Sequence, residues 1–293
     1  DVSYNEHNFR IKNPIDKLIH AFRKLFFNDY EYKTQLKIKN AKTEILNKIE
    51  SIETKVDYAL IVRSDIYPID IIKKIKDKSK KTIGYQWDGL HRFPVIYKHI
   101  AYYDKFYVFD EKDKNTQNVS LLNNFYFDYD AKQDDAIYQD FFFVGTYIKE
   151  RMSKIESLLT VLDDLQMTYK VILLSNQSIK CNNSKIEITN KPLAYDDYLA
   201  YLKSSTICLD FLNNTHNGLS FRTFEALCFD KKLVTNNKNV KKYDFYHPNN
   251  IFILEKDNYN KLKDFLQKPY VKIEEKIKLK YGFKNWIEIV LNS

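Results

Sequence analysis

Two charged residues stand in a mostly apolar helix pattern within residues 213–237 of the chain, NNTHNGLSFRTFEALCFDKKLVTNN. An apolar strand pattern, STICLDFL, precedes the helix pattern that begins just after Gly218, one of only five glycines in the chain. Arg222 and Glu225 are three positions apart, so they share one face near the start of this helix. An unpaired charge inside a nearly all-apolar helix is costly. We therefore expect both side chains to face a ligand-binding cleft, with Arg222 as a phosphate ligand, rather than to form an ordinary surface ion pair.

A second segment with phosphate-binding chemistry is FFFVGTYIKERM, residues 141–152. The pattern predicts a strand, a turn at Gly145 and Thr146, and a helix that carries Lys149 and Arg151 near its first turn. Glycine lets a backbone approach a ligand closely, and helix N-terminal amides together with two cations can hold a phosphate. The segment matches neither a Walker A loop nor a GxGxxG fingerprint, so a plain connection between strand and helix is the alternative.

A third segment, GYQWDGLHRFP at residues 84–94, ends a predicted strand with polar side chains. Asp88 and His91 follow this strand, where a carboxylate or an imidazole could deprotonate an acceptor hydroxyl. An aspartate before a glycine is also a common turn pair, and the two interpretations of Asp88 are evenly balanced. Candidates for the acceptor side of a site are Trp87, Arg92 and, at the end of the preceding strand, Arg63.

The sequence gives weak support to a metal site. Asp128 and Asp130 form a DxD pair, and two carboxylates at this spacing can chelate a divalent ion. The pair lies beside a polar stretch at residues 130–140 in a chain rich in tyrosine and aspartate, so chance is the favoured explanation. The histidines and the three cysteines lack ligand-like spacing, which argues against zinc and against a disulfide framework. No metal is expected.

Strand and helix patterns alternate along most of the chain, which is typical of parallel α/β layers. The predicted strands cover residues 58–62, 82–87, 106–109, 141–144, 171–174, 206–211, 233–235 and 251–254. The predicted helices after the first strand cover residues 68–78, 93–102, 149–166, 194–203, 221–229, 258–267 and 273–291. We therefore predict an α/β fold of two doubly wound, Rossmann-like parallel-sheet domains, joined by a linker at residues 130–140 and facing a ligand-binding cleft.

The predicted boundaries give an N-terminal domain at residues 1–133 and a C-terminal domain at residues 134–270. A helical segment at residues 271–293 is expected to pack back on the N-terminal domain. The chain begins at Asp1 rather than at methionine. A missing N-terminal piece, including the first strand of the first domain, is therefore an open alternative.

Two helix patterns, at residues 14–27 and 34–54, come before the first predicted strand. The first pattern has an apolar stripe, with basic residues mostly off it, that includes Ile15, Leu18 and Phe22. One interpretation is a basic amphipathic helix that touches an anionic membrane face. The other is a helix packed on the sheet, and it is favoured because any surface helix of an α/β domain shows such a stripe.

The net charge and hydropathy of the chain limit the partners and the cellular location that we expect for it. The net charge of +8 and the pI near 9.0 favour phosphate-bearing or anionic partners. Basic residues are interleaved with acidic ones rather than gathered in one block, so nucleic acid is not expected as a partner. No apolar run approaches the roughly 20 residues that span a bilayer, and no signal peptide is visible. We expect a cytoplasmic protein, with the inner face of the cell membrane as its only membrane contact.

A strand, a glycine turn and a basic helix start are followed along the chain by a glycine-containing loop, Glu-Ala-Leu and KKLVTNN. This order of elements resembles the C-terminal domain of GT-B glycosyltransferases. The resemblance covers residues 141–254 and is closest to bacterial enzymes of lipopolysaccharide and capsule assembly. It implies that Glu225 binds the ribose of a nucleotide-sugar donor and that Lys149 or Arg151 contacts its pyrophosphate, whereas Arg222 is added on its charge alone. The donor-binding set is Gly145, Thr146, Lys149, Arg151, Leu193, Asn217, Gly218, Leu219, Ser220, Arg222 and Glu225.

The resemblance implies a hexosyltransferase that works without a metal or another cofactor. It would move a sugar from a nucleotide sugar, with a UDP-sugar expected, to a saccharide or lipid-linked acceptor of bacterial surface polysaccharide. Many retaining members carry a second glutamate eight positions before the first, where this chain has Asn217, so the stereochemical outcome is not implied. A nucleotide-sugar-binding module without catalysis and a basic nucleic-acid-binding protein are the alternatives.

Overall fold

The computed structural model describes residues 13–27, 31–128, 139–212, 216–255 and 258–292 of the 293-residue chain. The chain divides into two compact units, which consist of residues 1–108 with 113–122, and of residues 109–112 with 123–293. Most of the predicted linker at residues 130–140 lies outside the described residues, as does Asp130 of the DxD pair. The predicted domain boundaries stay predictions.

The first unit is built on a four-stranded parallel sheet whose strands follow one another in chain order. Two helices precede the sheet, and helices connect its first three strands. Its elements are α1 (Pro14–Phe27), α2 (Glu31–Glu50), β1 (Val56–Val62), α3 (Ile69–Asp77), β2 (Ser79–Gln86), α4 (Ile96–His99), β3 (Lys105–Val108) and β4 (Ser120–Leu121).

The core of the first unit forms because its longer strands and the helices beside them contribute branched or aromatic side chains. Ile61, Phe106 and Val108 from the strands pack with Ile72 and Ile96 from α3 and α4. On α2 and α3, a separate cluster is made almost entirely of isoleucines, which are Ile38, Ile45, Ile49 and Ile71.

Helix α1 differs from its neighbours because its apolar stripe lies in solvent. Ile15 and Leu18 are 66% and 73% exposed. The favoured sequence interpretation, a helix that packs this stripe on the sheet, is therefore wrong. Amphipathic spacing defines an apolar face, but it does not say which surface covers that face.

The second unit is built on a six-stranded parallel sheet of order β10-β9-β8-β5-β6-β7. Since β5 and β8 are neighbours and the chain winds outward from them in both directions, the sheet is doubly wound. Its elements are β5 (Gln139–Thr146), α5 (Lys149–Asp164), β6 (Tyr169–Leu174), β7 (Ile186–Thr189), α6 (Tyr195–Lys203), β8 (Ser205–Asp210), α7 (Phe221–Cys228), β9 (Lys232–Thr235), β10 (Ile251–Ile253), α8 (Leu262–Gln267), α9 (Glu275–Lys280) and α10 (Phe283–Leu291).

Both faces of this sheet are covered, which explains the continuous apolar runs in its strands. Phe141 and Phe143 of β5 pack on one side with side chains of α5 such as Leu158. Phe142 between them packs on the other side with Leu202 of α6 and with residues of α7. The prediction of two parallel α/β sheets with interleaved helices is confirmed by these two units.

All eight predicted strands are present, and the described residues form two further strands that were not predicted. β4 is only two residues long, and β7 alternates apolar and polar residues over four positions. The predicted turn at Gly145 and Thr146 is wrong, because β5 continues through Thr146 and both residues pair with β6. Tyr147 and Ile148 connect β5 to α5 instead.

The predicted C-terminal helix is two helices, α9 and α10, which are separated at Tyr281 and Gly282. The break is fixed by a bridge between Tyr126 and Gly282 and by the Trp286 indole, which donates to the carbonyl of Asn123 at 3.0 Å. Tyr126 and Asn123 fall within residues 1–133 but cluster with the second unit. The prediction that this segment packs on the first domain stays a prediction.

Candidate anion site in the second unit

The carboxyl end of β5 and β8 is the topological switch point of the six-stranded sheet. In open parallel sheets the connections leave such neighbouring strands toward opposite faces, and the resulting crevice is the usual ligand site. The chain places three charged side chains at this point. Asp210 is the last residue of β8, Arg151 lies in the first turn of α5, and Arg222 lies in the first turn of α7.

Asp210, which is buried, and Arg222, which is largely buried, form an ion pair. Both Nε and Nη2 of Arg222 lie 3.1 Å from Oδ1 of Asp210, and Nη1 donates to the carbonyl of Val144 at 3.1 Å. The hydroxyls of Ser220 and Thr235 also donate to the carboxylate, at 2.8 and 3.4 Å. Burial acts to lower the pKa of Arg222, but the charge and hydrogen bond of Asp210, together with smaller contributions from Tyr198 and Cys208, raise it above its ordinary value. Arg222 is therefore a fixed cation.

Arg151 is held by main-chain carbonyls. Its Nη1 donates to Phe211 at 3.0 Å and its Nη2 donates to Thr146 at 2.9 Å. In the described part of the chain, no carboxylate lies within ion-pair distance of this buried guanidinium. Its burial, followed by the nearby charge of Arg222, lowers the pKa of Arg151 to about 10. A group whose charged form is disfavoured in this way gains from an added negative charge.

The switch point therefore holds two guanidinium groups and one carboxylate. Asp210 pairs with Arg222, which leaves Arg151 without a carboxylate partner among the described residues. Guanidinium groups bind phosphate oxygens through strong, geometrically defined hydrogen bonds. The arrangement of Arg151, Asp210 and Arg222 is suited to holding a phosphate or diphosphate group at the edge of the sheet.

The remaining predicted residues around β5 occupy the same edge. Gly145 is the penultimate residue of β5, and a Cβ there would lie 3.2 Å from the ring of Phe143, which is tight packing. Thr146 is exposed and its carbonyl accepts from Arg151. Lys149, the first residue of α5, is exposed. The structure thus brings these residues to the switch point, and their donor-binding roles stay predictions.

Glu225 is buried on the α6 side of α7. Its Oε1 accepts from the Tyr195 hydroxyl at 2.8 Å, and its Oε2 accepts from the Tyr198 hydroxyl. Burial raises the pKa of Glu225, although both hydroxyls and the charge of Arg222 act against the shift. The ribose role of Glu225 stays a prediction. Leu193, just before α6, packs against the adjoining apolar cluster.

The loop before α7 is tied down through its carbonyls. The side-chain amide of Asn237 donates to Asn217 and Gly218 at 3.1 and 3.3 Å, and the amide of Asn124 donates to Leu219 at 2.9 Å. Sequence reasoning missed Asn237, although it closes the same KKLVTNN stretch that was singled out.

Gly218 has a packing reason that the sequence could not show. A Cβ at this position would overlap the ring of Phe109 and lie 2.9 Å from its carbonyl oxygen. The main-chain N–H of the neighbouring Asn217 donates to the carboxylate of Asp110 at 2.8 Å. The loop that carries the predicted donor contacts Asn217, Gly218, Leu219 and Ser220 is therefore held in a single position by groups far away in sequence.

A second charged cluster lies at the carboxyl end of β1 and β2 in the first unit. Arg63 has a left-handed backbone, with φ of 62°, and its guanidinium pairs with both oxygens of Asp65 at 2.7 and 2.6 Å. It also donates to Asp88 at 3.0 Å, and Arg92 donates to the other Asp88 oxygen at 3.0 Å. Positive φ in a non-glycine residue is uncommon and is often found at functional sites.

The predicted acceptor residues therefore belong to one ion-pair cluster, apart from Trp87 and His91, which are exposed beside it. Burial acts to lower the pKa of Arg63, but Asp65 and Asp88 raise it. Asp88 is 8% exposed and both its oxygens are engaged by guanidinium groups. To act as a base it must present one of these oxygens to an acceptor hydroxyl, so its catalytic role stays a prediction.

Two negative findings concern the described residues. They contain no group of three or more histidine, cysteine, aspartate or glutamate side chains arranged to hold a metal ion. They also contain no helix with the length and hydropathy needed to cross a membrane.

No protein-family model and no curated protein matches the chain. Among solved structures, it is similar to the trehalose-6-phosphate phosphatase N-terminal domain of Candida albicans, with a TM-score of 0.49 and 11% identity over 97% of this chain and 74% of that one. It is similar to UDP-GlcNAc 2-epimerase of Methanocaldococcus jannaschii, with a TM-score of 0.47 and 12% identity over 93% and 89%. It is also similar to CalG4, the calicheamicin glycosyltransferase, with a TM-score of 0.35 and 9% identity over 92% and 78%. These likenesses concern the fold alone, and the functional inference rests on the geometry of the switch point.

Proposed function

We propose that the protein is a glycosyltransferase of the GT-B type that takes its sugar from a nucleotide-sugar donor. The observation that supports this proposal is the buried Arg151–Asp210–Arg222 group at the switch point of the second unit. Transfer of a glycosyl group leaves a nucleoside diphosphate behind, and negative charge develops on it as the bond breaks. Fixed guanidinium groups stabilise such charge without reorganising at the moment of reaction.

In this proposal the second unit binds the donor. Arg151 and Arg222 hold the diphosphate, in a role that other enzymes give to a metal ion, and Lys149 adds a flexible charge. Glu225 Oε1, which accepts one hydrogen bond from Tyr195, keeps a lone pair for a ribose hydroxyl. A UDP-sugar is the donor we expect.

The first unit binds the acceptor in this proposal. Asp88 or His91 takes the proton of the acceptor hydroxyl, and Trp87, Arg63 and Arg92 line the acceptor side. The acceptor we propose is a saccharide or a lipid-linked saccharide in bacterial surface polysaccharide assembly, reached from the cytoplasm at the inner face of the membrane. The sugar transferred is a hexose.

One observation favours a second candidate, a nucleotide-sugar-binding module without turnover. Asp88 is clamped between Arg63 and Arg92, each at 3.0 Å. A carboxylate in two ion pairs is well placed for structure and less available as a base. Both candidates share the donor site, and they differ only in whether a bond is broken.

The test is a thermal-shift screen with UDP-, GDP-, CMP- and ADP-linked sugars, followed by product analysis with any sugar that binds. A ligand that binds the folded state alone raises the melting temperature. A glycosyltransferase releases the nucleotide slowly in water and faster with an acceptor, and either Asp88→Asn or His91→Gln, whichever removes the base, stops release while binding persists. Binding without release supports the module, and no shift with any nucleotide sugar would refute both candidates.

A further inference from the structure

Helix α1 presents its apolar face to solvent. Ile15, Leu18, Ile19 and Phe22 follow the i, i+3, i+4, i+7 spacing of one helix face, and they are 66%, 73%, 37% and 52% exposed. Soluble proteins expose single apolar residues freely, but a contiguous apolar patch marks an interaction surface. The stripe is such a patch.

The described side chains with which α1 contacts α2 are polar. The hydroxyl of Tyr32 on α2 donates to Asp16 at 2.9 Å, and the ring of Tyr32 stacks on His20 at 6.5 Å between centroids. Asp16 and His20 are four residues apart and lie on one face. Helix α1 is thus attached to its neighbour by polar side chains and an aromatic ring, and its apolar stripe points elsewhere.

The neighbouring helices have the opposite arrangement. On α2, Ile38, Ile45 and Ile49 are 2%, 6% and 3% exposed, and on α3 Ile71 is fully buried. The first unit therefore completes its core without the stripe of α1. This contrast within one unit indicates that the stripe has an external partner.

The charge of the segment identifies the chemistry of that partner. Lys17 is exposed on α1. The sequence from residue 10 to residue 27 has a single acidic residue, Asp16, against five basic ones, which are Arg10, Lys12, Lys17, Arg23 and Lys24. A short amphipathic helix with basic residues lies in the plane of a bilayer and is drawn to anionic headgroups. We propose that α1 docks the protein on an anionic lipid bilayer by inserting Ile15, Leu18, Ile19 and Phe22 into its surface.

A second copy of the chain fits this surface less well. Two copies of α1 face to face would bring two basic segments together. The helix is only about 21 Å long at 1.5 Å per residue, and four side chains provide far less than the roughly 800 Å² per partner that a stable interface buries. A bilayer has neither restriction, because its anionic headgroups attract the basic residues and its lipids adapt to the shape of the helix.

The test is co-sedimentation of the full chain with vesicles of phosphatidylcholine, with and without phosphatidylglycerol, at low and high salt. The test variant is Leu18→Ser with Phe22→Ser. The matched control is Leu279→Ser, which removes a leucine that is 54% exposed on α9 of the other unit. We expect the wild type and the control to bind the anionic vesicles, and the double variant to bind at least about tenfold more weakly, since each apolar side chain contributes to partition.

High salt and the neutral vesicles should each weaken binding of the wild type, because the headgroup attraction is electrostatic. The proposal is overturned if the wild type stays in the supernatant with anionic vesicles, or if the double variant binds as well as the wild type. Association of the chain with itself that the double variant abolishes, without vesicle binding, would assign the stripe to a second copy instead. The inference extends the proposed function, but neither donor nor acceptor is present in this assay, so the two can fail separately.

Discussion

Asp210 is the carboxylate beside the guanidinium groups of Arg151 and Arg222, so its removal tests the charge balance of the switch point. Asp210→Asn keeps the size of the side chain and a carbonyl oxygen that can accept from Ser220, while the ion pair with Arg222 is lost. Breaking a buried pair by removing one partner leaves an uncompensated charge and costs about 3–5 kcal/mol. Because Arg222 is 22% exposed, which allows some screening, we expect the lower end, about 3 kcal/mol.

For a domain of this size, such a loss lowers the melting temperature by about 6 to 12 °C. Scanning calorimetry or intrinsic fluorescence measures the shift, with Asp264→Asn on α8 as the control. Asp264 is exposed in the same unit, and surface changes of this kind stay within about 0.5 kcal/mol.

The second half of this prediction concerns rescue by an anion. If the site holds a diphosphate, pyrophosphate or UDP replaces the charge that Asp210 supplied. Without the repulsion of the carboxylate, the ligand should bind the variant more tightly, by about a hundredfold for a unit charge about 6 Å away at an effective dielectric near 20. The ligand should therefore raise the melting temperature of Asp210→Asn more than that of the wild type. A variant as stable as the wild type, or one that pyrophosphate and UDP stabilise no better, would refute the charge reasoning.

Two further predictions concern the loop and helix that follow β8. Gly218→Ala should destabilise the second unit by about 1–3 kcal/mol, because the new methyl group overlaps the ring of Phe109; chemical denaturation measures this, and unchanged stability would show that the loop moves freely. Glu225 has a pKa above the ordinary 4.5, so its contribution to stability is fully present below that pH and is lost as the pH rises through the folded value. Because Gln does not titrate, the free energy of unfolding of Glu225→Gln should rise relative to that of the wild type as the pH rises over this range. A difference between the two proteins that stays constant from acid to neutral pH would contradict the burial of the charge.

The alternation of strands and helices could be predicted from the sequence because it rests on burial of both faces of a sheet. The run FFFV at residues 141–144 is apolar at every position, and the structure buries Phe141 and Phe143 on one face and Phe142 on the other. Short strands lack this signal. β4 has only two residues, and β7 alternates apolar and polar residues over only four positions, so neither is long enough to show a clear strand pattern.

The charged residues of the switch point were predicted only in part. Arg222 stood out because a charge in an apolar helix requires a reason, and Arg151 because it lies near a predicted helix start that follows a strand; the structure places both at the switch point. Asp210 was passed over, although an acid that ends the apolar strand STICLD was a usable signal. The pairing of Arg222 with Asp210, rather than with Glu225 three residues away on the same helix, depends on the position of β8 and could not be read locally.

Glycines and amphipathic helices show the same limit. The sequence marks Gly218 as unusual, but its reason is the ring of Phe109, more than a hundred residues away. The sequence of α1 defines an apolar stripe, but only the structure shows that the stripe is exposed to solvent. In each case the pattern identifies the important position, and a contact distant in sequence decides what the position does.

The claim that the switch point holds a nucleoside diphosphate is tested most directly by isothermal titration with UDP. The proteins compared are the wild type, Arg151→Gln, Arg222→Gln and the control Lys191→Gln, which removes an exposed charge elsewhere in the same unit. We predict saturable binding of one UDP to the wild type and the control. Each arginine variant should bind about tenfold to a hundredfold more weakly, since it loses a charge-assisted hydrogen bond. Equal affinity in all four proteins, or no binding of UDP or any other nucleoside diphosphate by the wild type, would contradict the account.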